Sequence, residues 1–383
     1  MRTPKEYDEI RPYDEEERAT ICEQLIADPE FRTAAQYAMP GIPYETLCTQ
    51  LRACTTIHEL QTHILQPILD NILNLHSNGF TLLTNTINNK QTPHTYISNH
   101  RDIVLDPALL SLGLIRNGFP RTTQIAIGDN LLIRPWIKKL VRLNKAFIVK
   151  RHPGLREMLT SSTLLSNYMH YTITAKHDPI WIAQREGRAK DANDRTQLSI
   201  LKMMTMGGQG TLTERLRELN IVPISLSYEY DPCDYLKAKE LQQKRDNPNF
   251  KKNTADDLNS MKTGIYGYKG KITFRTANPL NPFIDTLPHM PKNQLFTTIA
   301  QHIDREIHSH YTLYPVNYIA ADRLTHTTRN ATHYTHDDIT QFDDYIAQRL
   351  NKIDLPNPDI PFLSHTILTM YANPVFNQQA IEE

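Results

Sequence analysis

The sequence predicts an α/β fold: a mixed, mostly parallel sheet flanked by helices, with helical N-terminal and C-terminal additions. Two patterns support this prediction. Short apolar runs alternate with helical stretches in the middle of the chain, and helical periodicity dominates on either side of it. With 39% hydrophobic residues, the 383-residue chain can bury a core, which argues against a disordered protein.

Residues 1–80 are predicted to form a helical N-terminal module. Within residues 56–75, apolar side chains recur at a spacing of three or four, which marks one buried helix face. A further helix is expected over residues 14–27, which begin with acidic residues. The module is therefore expected to pack through helix faces.

Residues 81–285 are predicted to form the α/β domain, because short apolar runs there alternate with helical patterns. The predicted strands cover residues 94–98, 123–127, 146–149, 179–183, 221–228 and 271–275. Helices are predicted between them at residues 107–117, 155–174 and 212–219. A polar, lysine-rich segment, residues 234–262, is expected to form helices inserted between two strands. Residues 286–383 are predicted to be a helical C-terminal extension, with helices over residues 293–308 and 337–351.

The overall charge points away from a nucleic-acid partner. Lys+Arg and Asp+Glu are equal at 42 each, whereas binding to phosphate-rich polymers needs a surplus of positive charge. The four cysteines lack zinc-like spacing and are expected to be free thiols, and no metal is implied. No apolar run approaches the ~18 residues of a membrane-spanning helix. A soluble or peripheral cytoplasmic protein is expected.

A histidine and an aspartate follow the strand predicted at residues 94–98. His100 comes just after this strand, and Asp106 with Pro107 is expected to begin the next helix. Both would face the crevice where open α/β sheets bind ligands. An imidazole oriented by a carboxylate is a general-base pair. His100 and Asp106 are therefore the predicted catalytic residues, with Asp102 as the alternative partner.

Two other enzyme classes are excluded by missing motifs. The triplet His100-Arg101-Asp102 is also typical of the catalytic loop of protein kinases. The chain has neither a glycine-rich phosphate loop nor an Asp-Phe-Gly sequence. It also lacks the Gly-x-Ser-x-Gly elbow of serine hydrolases.

Four segments within residues 95–228 resemble, in the same order, the signature blocks of the glycerophosphate and lysophosphatidate acyltransferase family. They are Asn99-His100 with a following Asp, residues 128–151, Glu186-Gly187-Arg188 and Val222-Pro223. The resemblance implies transfer of a fatty acyl group to the hydroxyl of glycerol 3-phosphate or lysophosphatidate. The acyl thioester donor would be acyl-CoA or acyl carrier protein, which acts as a co-substrate, so no further cofactor is implied.

The chain departs from this family pattern at two points. The family usually places four residues between His and Asp, whereas five separate His100 from Asp106 and one separates it from Asp102. The altered spacing leaves open a catalytically inactive lipid-binding or scaffold protein of the same fold. The third block is also compressed, because Glu-Gly-Arg replaces Glu-Gly-x-Arg. Either Arg185 or Arg188 can therefore take the role of the family arginine.

A phosphorylated acceptor requires cations near the catalytic pair, and arginine is suited to bidentate contact with phosphate. The predicted substrate-binding residues are Arg151, Arg185, Glu186, Gly187 and Arg188. In this set Glu186 would orient an arginine or begin a structured turn, and Gly187 would permit a close approach of the backbone. An amine or aminoacyl-lipid acceptor remains an alternative.

Residues 131–151 contain seven basic residues and no acidic residue. Apolar and basic positions follow helical spacing there, which predicts a basic amphipathic helix on an anionic membrane surface. The residues expected to face the membrane are Trp136, Lys138, Lys139 and Arg142. A helix packed on the sheet with a solvated basic face is the alternative. The first possibility places the protein on the inner face of the membrane.

Overall fold

A computed structural model describes residues 2–39, 41–151 and 154–382 of the chain. Within these ranges, seven strands form one sheet in the order β1-β7-β6-β2-β5-β3-β4. The strands are β1 (Phe80–Leu83), β2 (Thr95–Ser98), β3 (Gln124–Gly128), β4 (Ala146–Val149), β5 (Ile180–Ala183), β6 (Ile221–Tyr228) and β7 (Ile272–Thr276). The predicted α/β class is confirmed.

Five neighbouring strands, from β6 through β2, β5 and β3 to β4, run parallel. Their carboxyl ends therefore lie at one edge of the sheet. β7 is antiparallel to β6, and β1 is parallel to β7, so these two strands point the other way. β2 lies inside the parallel part, with Thr95 opposite both Ile180 and Ile221. The residues that follow β2 are thus placed in the middle of that edge.

The six predicted strands agree with the structure to within one residue at each end. β1 was not predicted. It is a four-residue edge strand, and only Leu82 in it is buried. A strand of this kind lacks the buried apolar run that reveals β6, in which all eight residues are buried.

The N-terminal helices contribute most of the side chains of one hydrophobic core. They are α1 (Arg18–Ile26), α2 (Pro29–Ala38), α3 (Tyr44–Ala53), α4 (Ile57–Leu60) and α5 (Gln66–His76). The single helix expected over residues 56–75 is interrupted by a π-helical turn at Gln61–Leu65. Pro67, in the first turn of α5, lacks the amide hydrogen that a regular helix would use there.

Helices cover both faces of the sheet, as expected. This central group comprises α6 (Leu105–Arg116), α7 (Pro135–Leu143), α8 (Leu155–Thr174), α9 (Leu198–Met204) and α10 (Leu212–Glu218). Adjacent residues of β2 enter different cores: Tyr96 packs with Leu109 of α6, and Ile97 belongs to the core that contains Met169 of α8. This alternation follows from the two-residue period of a strand.

The insert predicted between the last two strands is helical. It consists of α11 (Asp234–Asp246) and α12 (Thr254–Tyr266), which lie in sequence between β6 and β7. The C-terminal helices are α13 (Leu280–Thr286), α14 (Lys292–Ser309), α15 (Pro315–Thr325), α16 (His336–Asn351) and α17 (Ile360–Glu382). Buried Asp234 joins the two groups, because it accepts hydrogen bonds from Arg349 and from the hydroxyl groups of Tyr345 and Tyr371. In the described part of the chain, no helix has the length and hydropathy needed to cross a bilayer.

Candidate active site

The imidazole of His100 lies against a buried carboxylate. Its Nδ1 atom is 2.8 Å from Oδ2 of Asp106, whose side chain is fully buried. His100 follows β2 by two residues and Asp106 lies in the first turn of α6, so both stand at the carboxyl edge of the parallel strands. When Nδ1 donates its proton to the carboxylate, the lone pair is on Nε2. Nε2 has no hydrogen-bond partner among the described residues.

The Asp106 carboxylate is held from several directions. Its Oδ2 atom accepts hydrogen bonds from the backbone N–H groups of Arg101 (2.7 Å) and Asp102 (3.0 Å). Its Oδ1 atom accepts one from the hydroxyl of Tyr228, at 2.9 Å. Burial, followed by the charge of Asp106, raises the pKa of Tyr228 well above its ordinary value, so this hydroxyl remains a donor. These contacts fix the carboxylate that orients His100.

Asp102, the alternative partner, points elsewhere. Its Oδ1 atom accepts hydrogen bonds from the backbone N–H groups of Val104 and Leu105, at 2.8 and 2.7 Å. The helix cap expected at Asp106 is therefore supplied by Asp102, and α6 begins two residues earlier than predicted. Of these two carboxylates, only that of Asp106 is within hydrogen-bonding distance of His100.

Two further side chains position the loop that carries His100. The side chain of Asn99 donates to the carbonyl of Leu226 (2.9 Å) and accepts from its N–H (2.8 Å), which extends the pairing of β2 with β6. The indole ring of Trp181 meets the His100 ring edge-on, with the centroids 5.6 Å apart. The Trp181 N–H donates to Ser98 at 3.0 Å. The His100 ring is thus held on two sides, by Asp106 and by Trp181.

His100 opens onto a cavity of about 360 Å³. One set of lining residues is apolar: Ile125, Ile127, Ile137, Val141, Ala146 and Trp181. A second set is cationic: Arg151, Arg185, Arg188, Lys190 and Lys252. Lys252 belongs to the segment that joins α11 to α12, so the insert contributes to this cavity. The walls therefore suit a ligand that is apolar at one end and anionic at the other.

Four of the five predicted substrate-binding residues line this cavity: Arg151, Arg185, Gly187 and Arg188. Glu186 does not. Its side chain is 55% exposed and lies 3.5 Å from Nη1 of Arg151, where it can orient that arginine. Gly187 has a φ of 68°, which is strained for other residues, and allows the turn that brings Arg185 and Arg188 to one cavity.

Arg188 is the most deeply placed of these arginines, with 8% of its surface exposed. Its Nη1 atom has no hydrogen-bond partner among the described residues. Burial opposes its charge, yet Cys233 and Asp102 hold the pKa of Arg188 above its ordinary value. A buried guanidinium with a free N–H group is well suited to bind an anion.

The basic stretch expected to face a membrane is only partly exposed. Trp136 of α7 packs on the N-terminal helices, with its ring centroid 6.0 Å from that of Phe31. Arg142 donates to the backbone carbonyls of Asp8 and Arg11, at 2.8 and 2.9 Å. Trp136 and Arg142 are thus half-buried against the N-terminal residues.

The two lysines of the same set remain accessible to different degrees. Lys138 is exposed and Lys139 is half-buried. The helix itself is shorter than the predicted basic stretch, because residues 146–149 form β4. Ile137 and Val141 of α7 face the cavity next to His100. α7 therefore contributes to the cavity wall as well as to the surface.

Sequence reasoning did not find Tyr228, Lys190 or Lys252 as parts of this site. Tyr228 is the last residue of β6, the strand that pairs with β2 next to His100. That position was a usable signal, since neighbouring parallel strands end at the same edge. Lys252 lies between α11 and α12 and not at the end of a strand, so its sequence position does not indicate that it lines this cavity. Within the described ranges, no cluster of His, Cys, Asp and Glu could hold a metal ion.

Comparison with known proteins agrees with this geometry. Residues 82–227 match the model of the family described as Acyltransferase. This match agrees with the resemblance found in the sequence. Among solved structures, the 1-acyl-sn-glycerophosphate (LPA) acyltransferase PlsC from Thermotoga maritima is similar over 77% of this chain and 96% of its own. The sequence identity is 10% and the TM-score is 0.36. No curated protein matches the chain.

Proposed function

We propose that the protein transfers a fatty acyl group from acyl-CoA or acyl carrier protein to the hydroxyl of glycerol 3-phosphate or lysophosphatidate in phospholipid synthesis. One observation carries this proposal: the His100–Asp106 pair stands at the wall of a cavity with both apolar and cationic linings. The acyl chain of the donor needs the apolar lining. The phosphate of the acceptor needs the cations.

The proposed reaction is a direct acyl transfer. Nε2 of His100 takes the proton of the acceptor hydroxyl as its oxygen attacks the thioester carbonyl. Asp106 stabilises the imidazolium that forms. The tetrahedral intermediate then collapses, the C–S bond breaks, and the leaving thiolate takes the proton from His100. The products are an ester and a free thiol.

The cavity lining suggests where each substrate binds. Ile127, Ile137 and Val141 are the proposed contacts of the acyl chain. Arg151, Arg185 and Arg188 are the proposed contacts of the acceptor phosphate, and the free Nη1 of buried Arg188 is the strongest support for this assignment. The unusual spacing between His100 and Asp106 suggested a catalytically inactive scaffold protein as an alternative. The two side chains nevertheless form a hydrogen bond, and this contact favours the enzyme.

The test is an acyl-transfer assay with the purified protein. Labelled acyl-CoA and acyl carrier protein would each be offered with glycerol 3-phosphate, lysophosphatidate and an amine acceptor. We expect product only with a phosphorylated acceptor. Transfer to the amine alone would replace this proposal with the aminoacyl-lipid alternative. Lipid binding without transfer to any acceptor would favour the scaffold.

We further propose that the protein works as a peripheral protein on the cytoplasmic face of an anionic membrane. The support is local: Lys138 and Ile133 are exposed near the cavity-lining residues of α7, and Arg134 is 56% exposed. A basic side chain near an anionic surface contributes ~1 kcal/mol of binding free energy. Reversing the charge of Lys138 should therefore weaken binding measurably.

Vesicle co-sedimentation tests this membrane proposal. Recovery of the wild type should be higher with anionic than with zwitterionic vesicles. Lys138→Glu should reduce binding to anionic vesicles about ten-fold. Lys352→Glu, at an exposed position after α16, is the matched control and should bind like the wild type. Equal recovery of the wild type on both kinds of vesicle would contradict the proposal.

A further inference from the structure

Arg101, the residue after His100, is buried although it carries a charge. It is 7% exposed, and it is not among the described residues that line the cavity next to His100. Its backbone N–H donates to Oδ2 of Asp106 at 2.7 Å, and the same oxygen contacts the His100 ring. The backbone of Arg101 thus helps to orient the catalytic pair, while its side chain lies outside the cavity.

The guanidinium group of Arg101 is held by two other parts of the chain. Nη2 donates to the hydroxyl of Tyr311 in the C-terminal extension at 3.3 Å, and the guanidinium carbon lies 5.4 Å from the centre of the Tyr311 ring. Nη1 lies 3.6 Å from the carboxylate of Asp194, a buried residue in the loop after β5. Because a charge removed from water needs partners, these contacts determine where the guanidinium group lies.

Tyr311 is itself anchored on both sides. It follows α14 by two residues, and the side chain of Gln378 in α17 donates to its carbonyl at 2.5 Å. The N–H of Thr312 donates to the hydroxyl of Ser227 in β6 at 2.9 Å. The position of Tyr311 is therefore fixed relative to the sheet and to the last helix.

The C-terminal extension also holds the loop that carries Asp194. Nε2 of His308 in α14 lies 3.0 Å from the carbonyl of Asp194. Burial, followed by the charge of Arg195, lowers the pKa of His308 to about 4, so the neutral ring donates this bond. The N–H and hydroxyl of Thr196 both donate to Asp304 of α14, at 2.7 and 2.6 Å. Both partners of the Arg101 side chain thus depend on α14 and the residues after it.

Two small cavities lie next to Arg101. They measure about 20 and about 10 Å³. Since a single water molecule needs ~10–15 Å³, neither cavity admits a substrate. The smaller one is lined by Arg101 and Asp194, whose Nε and carboxyl oxygens lack hydrogen-bond partners among the described residues, so water can bind there. The side chain of Arg101 therefore makes internal contacts and does not bind substrate.

We infer that Arg101 is a positioning residue, through which the C-terminal extension fixes the loop that carries His100. The inference rests on the proposed function, in which His100 is the base. While Tyr311 and Asp194 hold the side chain, the N–H of Arg101 stays on Asp106. Loss of these contacts lets the backbone shift, and a shift of about 1 Å in a catalytic group can lower the rate about 10²-fold.

Arg101→Met removes the guanidinium group and keeps an apolar side chain. We expect kcat per folded molecule to fall about 10²-fold, and the KM of each substrate to change less than about two-fold, because the side chain does not contact substrate. Arg11→Met is the matched control. Arg11 is also buried and paired, but with Asp8 and Glu17 in the N-terminal residues. It should lower the Tm without lowering kcat.

Tyr311→Phe disturbs the same contact less, since only a hydroxyl group is lost. Its kcat should fall about five-fold. The double variant with Arg101→Met should have the kcat of Arg101→Met alone, because the hydroxyl acts through the guanidinium group. If Arg101→Met does not fold, Tyr311→Phe decides. Wild-type kcat in Tyr311→Phe, equal losses of kcat in Arg11→Met and Arg101→Met, or a rise in KM matching the fall in kcat would overturn the inference.

Amide hydrogen exchange, followed by mass spectrometry, tests the positioning without acyl transfer. The N–H groups of Arg101 and Asp102 donate to Asp106, so they should exchange about ten-fold faster in Arg101→Met and Tyr311→Phe. Arg11→Met should exchange like the wild type in this segment. If the wild type transfers no acyl group, the proposed function fails, and exchange still decides whether the C-terminal extension holds this loop. Exchange unchanged in both variants would contradict it.

Discussion

Replacing His100 with alanine is expected to lower kcat for acyl transfer by roughly 10²–10⁴-fold, the usual contribution of a positioned general base. His100 is the residue whose ring nitrogen is both oriented by a buried carboxylate and next to the cavity. The side chain is largely buried, with 13% exposed, but packs at a cavity wall, so alanine should be tolerated by the fold. Binding of the lipid substrates, measured by their KM, should change little.

Asp106→Asn should produce a loss in the same direction. The amide of asparagine carries N–H donors where the carboxylate has only acceptors. If the NH₂ group faces His100, it disfavours the tautomer with the proton on Nδ1. If it faces the backbone N–H groups of Arg101 and Asp102 or the Tyr228 hydroxyl, donor meets donor and the position of the ring is disturbed. Asp102→Asn is the matched control, because an amide oxygen can still cap α6. The assignment is wrong if Asp102→Asn removes activity while Asp106→Asn retains it.

Six of the seven described strands could be predicted because a buried strand has a short run of apolar or small residues in the sequence. β6 was found with both ends correct, since each of its eight residues is buried and the run is apolar or small. The edge strand β1 has only one buried residue among four, so burial imposes no such run on its sequence. The position of His100 followed from its strand, because residues after parallel strands meet at one edge of the sheet.

Other parts of the site depend on contacts that no local pattern encodes. Tyr228 and Asp106 are 122 positions apart, and their hydrogen bond exists because β6 pairs with β2. Trp136 resembled a membrane anchor in the sequence, but the N-terminal helices supply Phe31 as its neighbour. The cap at Asp102 was missed because Asp106, followed by proline, has the stronger local signal for a helix start.

The insert also contacts the loop that carries the catalytic pair. Gly264 of α12 is buried, and a Cβ atom at this position would overlap Oδ2 of Asp102. The other oxygen of Asp102 holds the first turn of α6, in which Asp106 lies. α12, the cap and the catalytic carboxylate are therefore linked by direct contacts. The absence of a side chain at position 264 allows this approach.

Gly264→Ala is therefore expected to reduce both stability and activity. Alanine alone would favour the helix by ~1 kcal/mol, so a loss must come from the contact with Asp102. Overpacking of this kind costs about 1–3 kcal/mol of the free energy of unfolding. Displacing Asp102 should also shift Asp106 and lower kcat, whereas an effect on folding alone would lower only the Tm.

Thermal unfolding and acyl transfer, measured on the same preparations, separate these effects. Gly41→Ala is the control, since an added Cβ there has no neighbour within 4 Å among the described residues. Because the predicted overlap involves the carboxyl group of Asp102, the double variant Gly264→Ala with Asp102→Ala should recover part of the lost stability, although it lacks the cap. If Gly264→Ala alone has the Tm and kcat of the wild type, the insert does not position the catalytic loop.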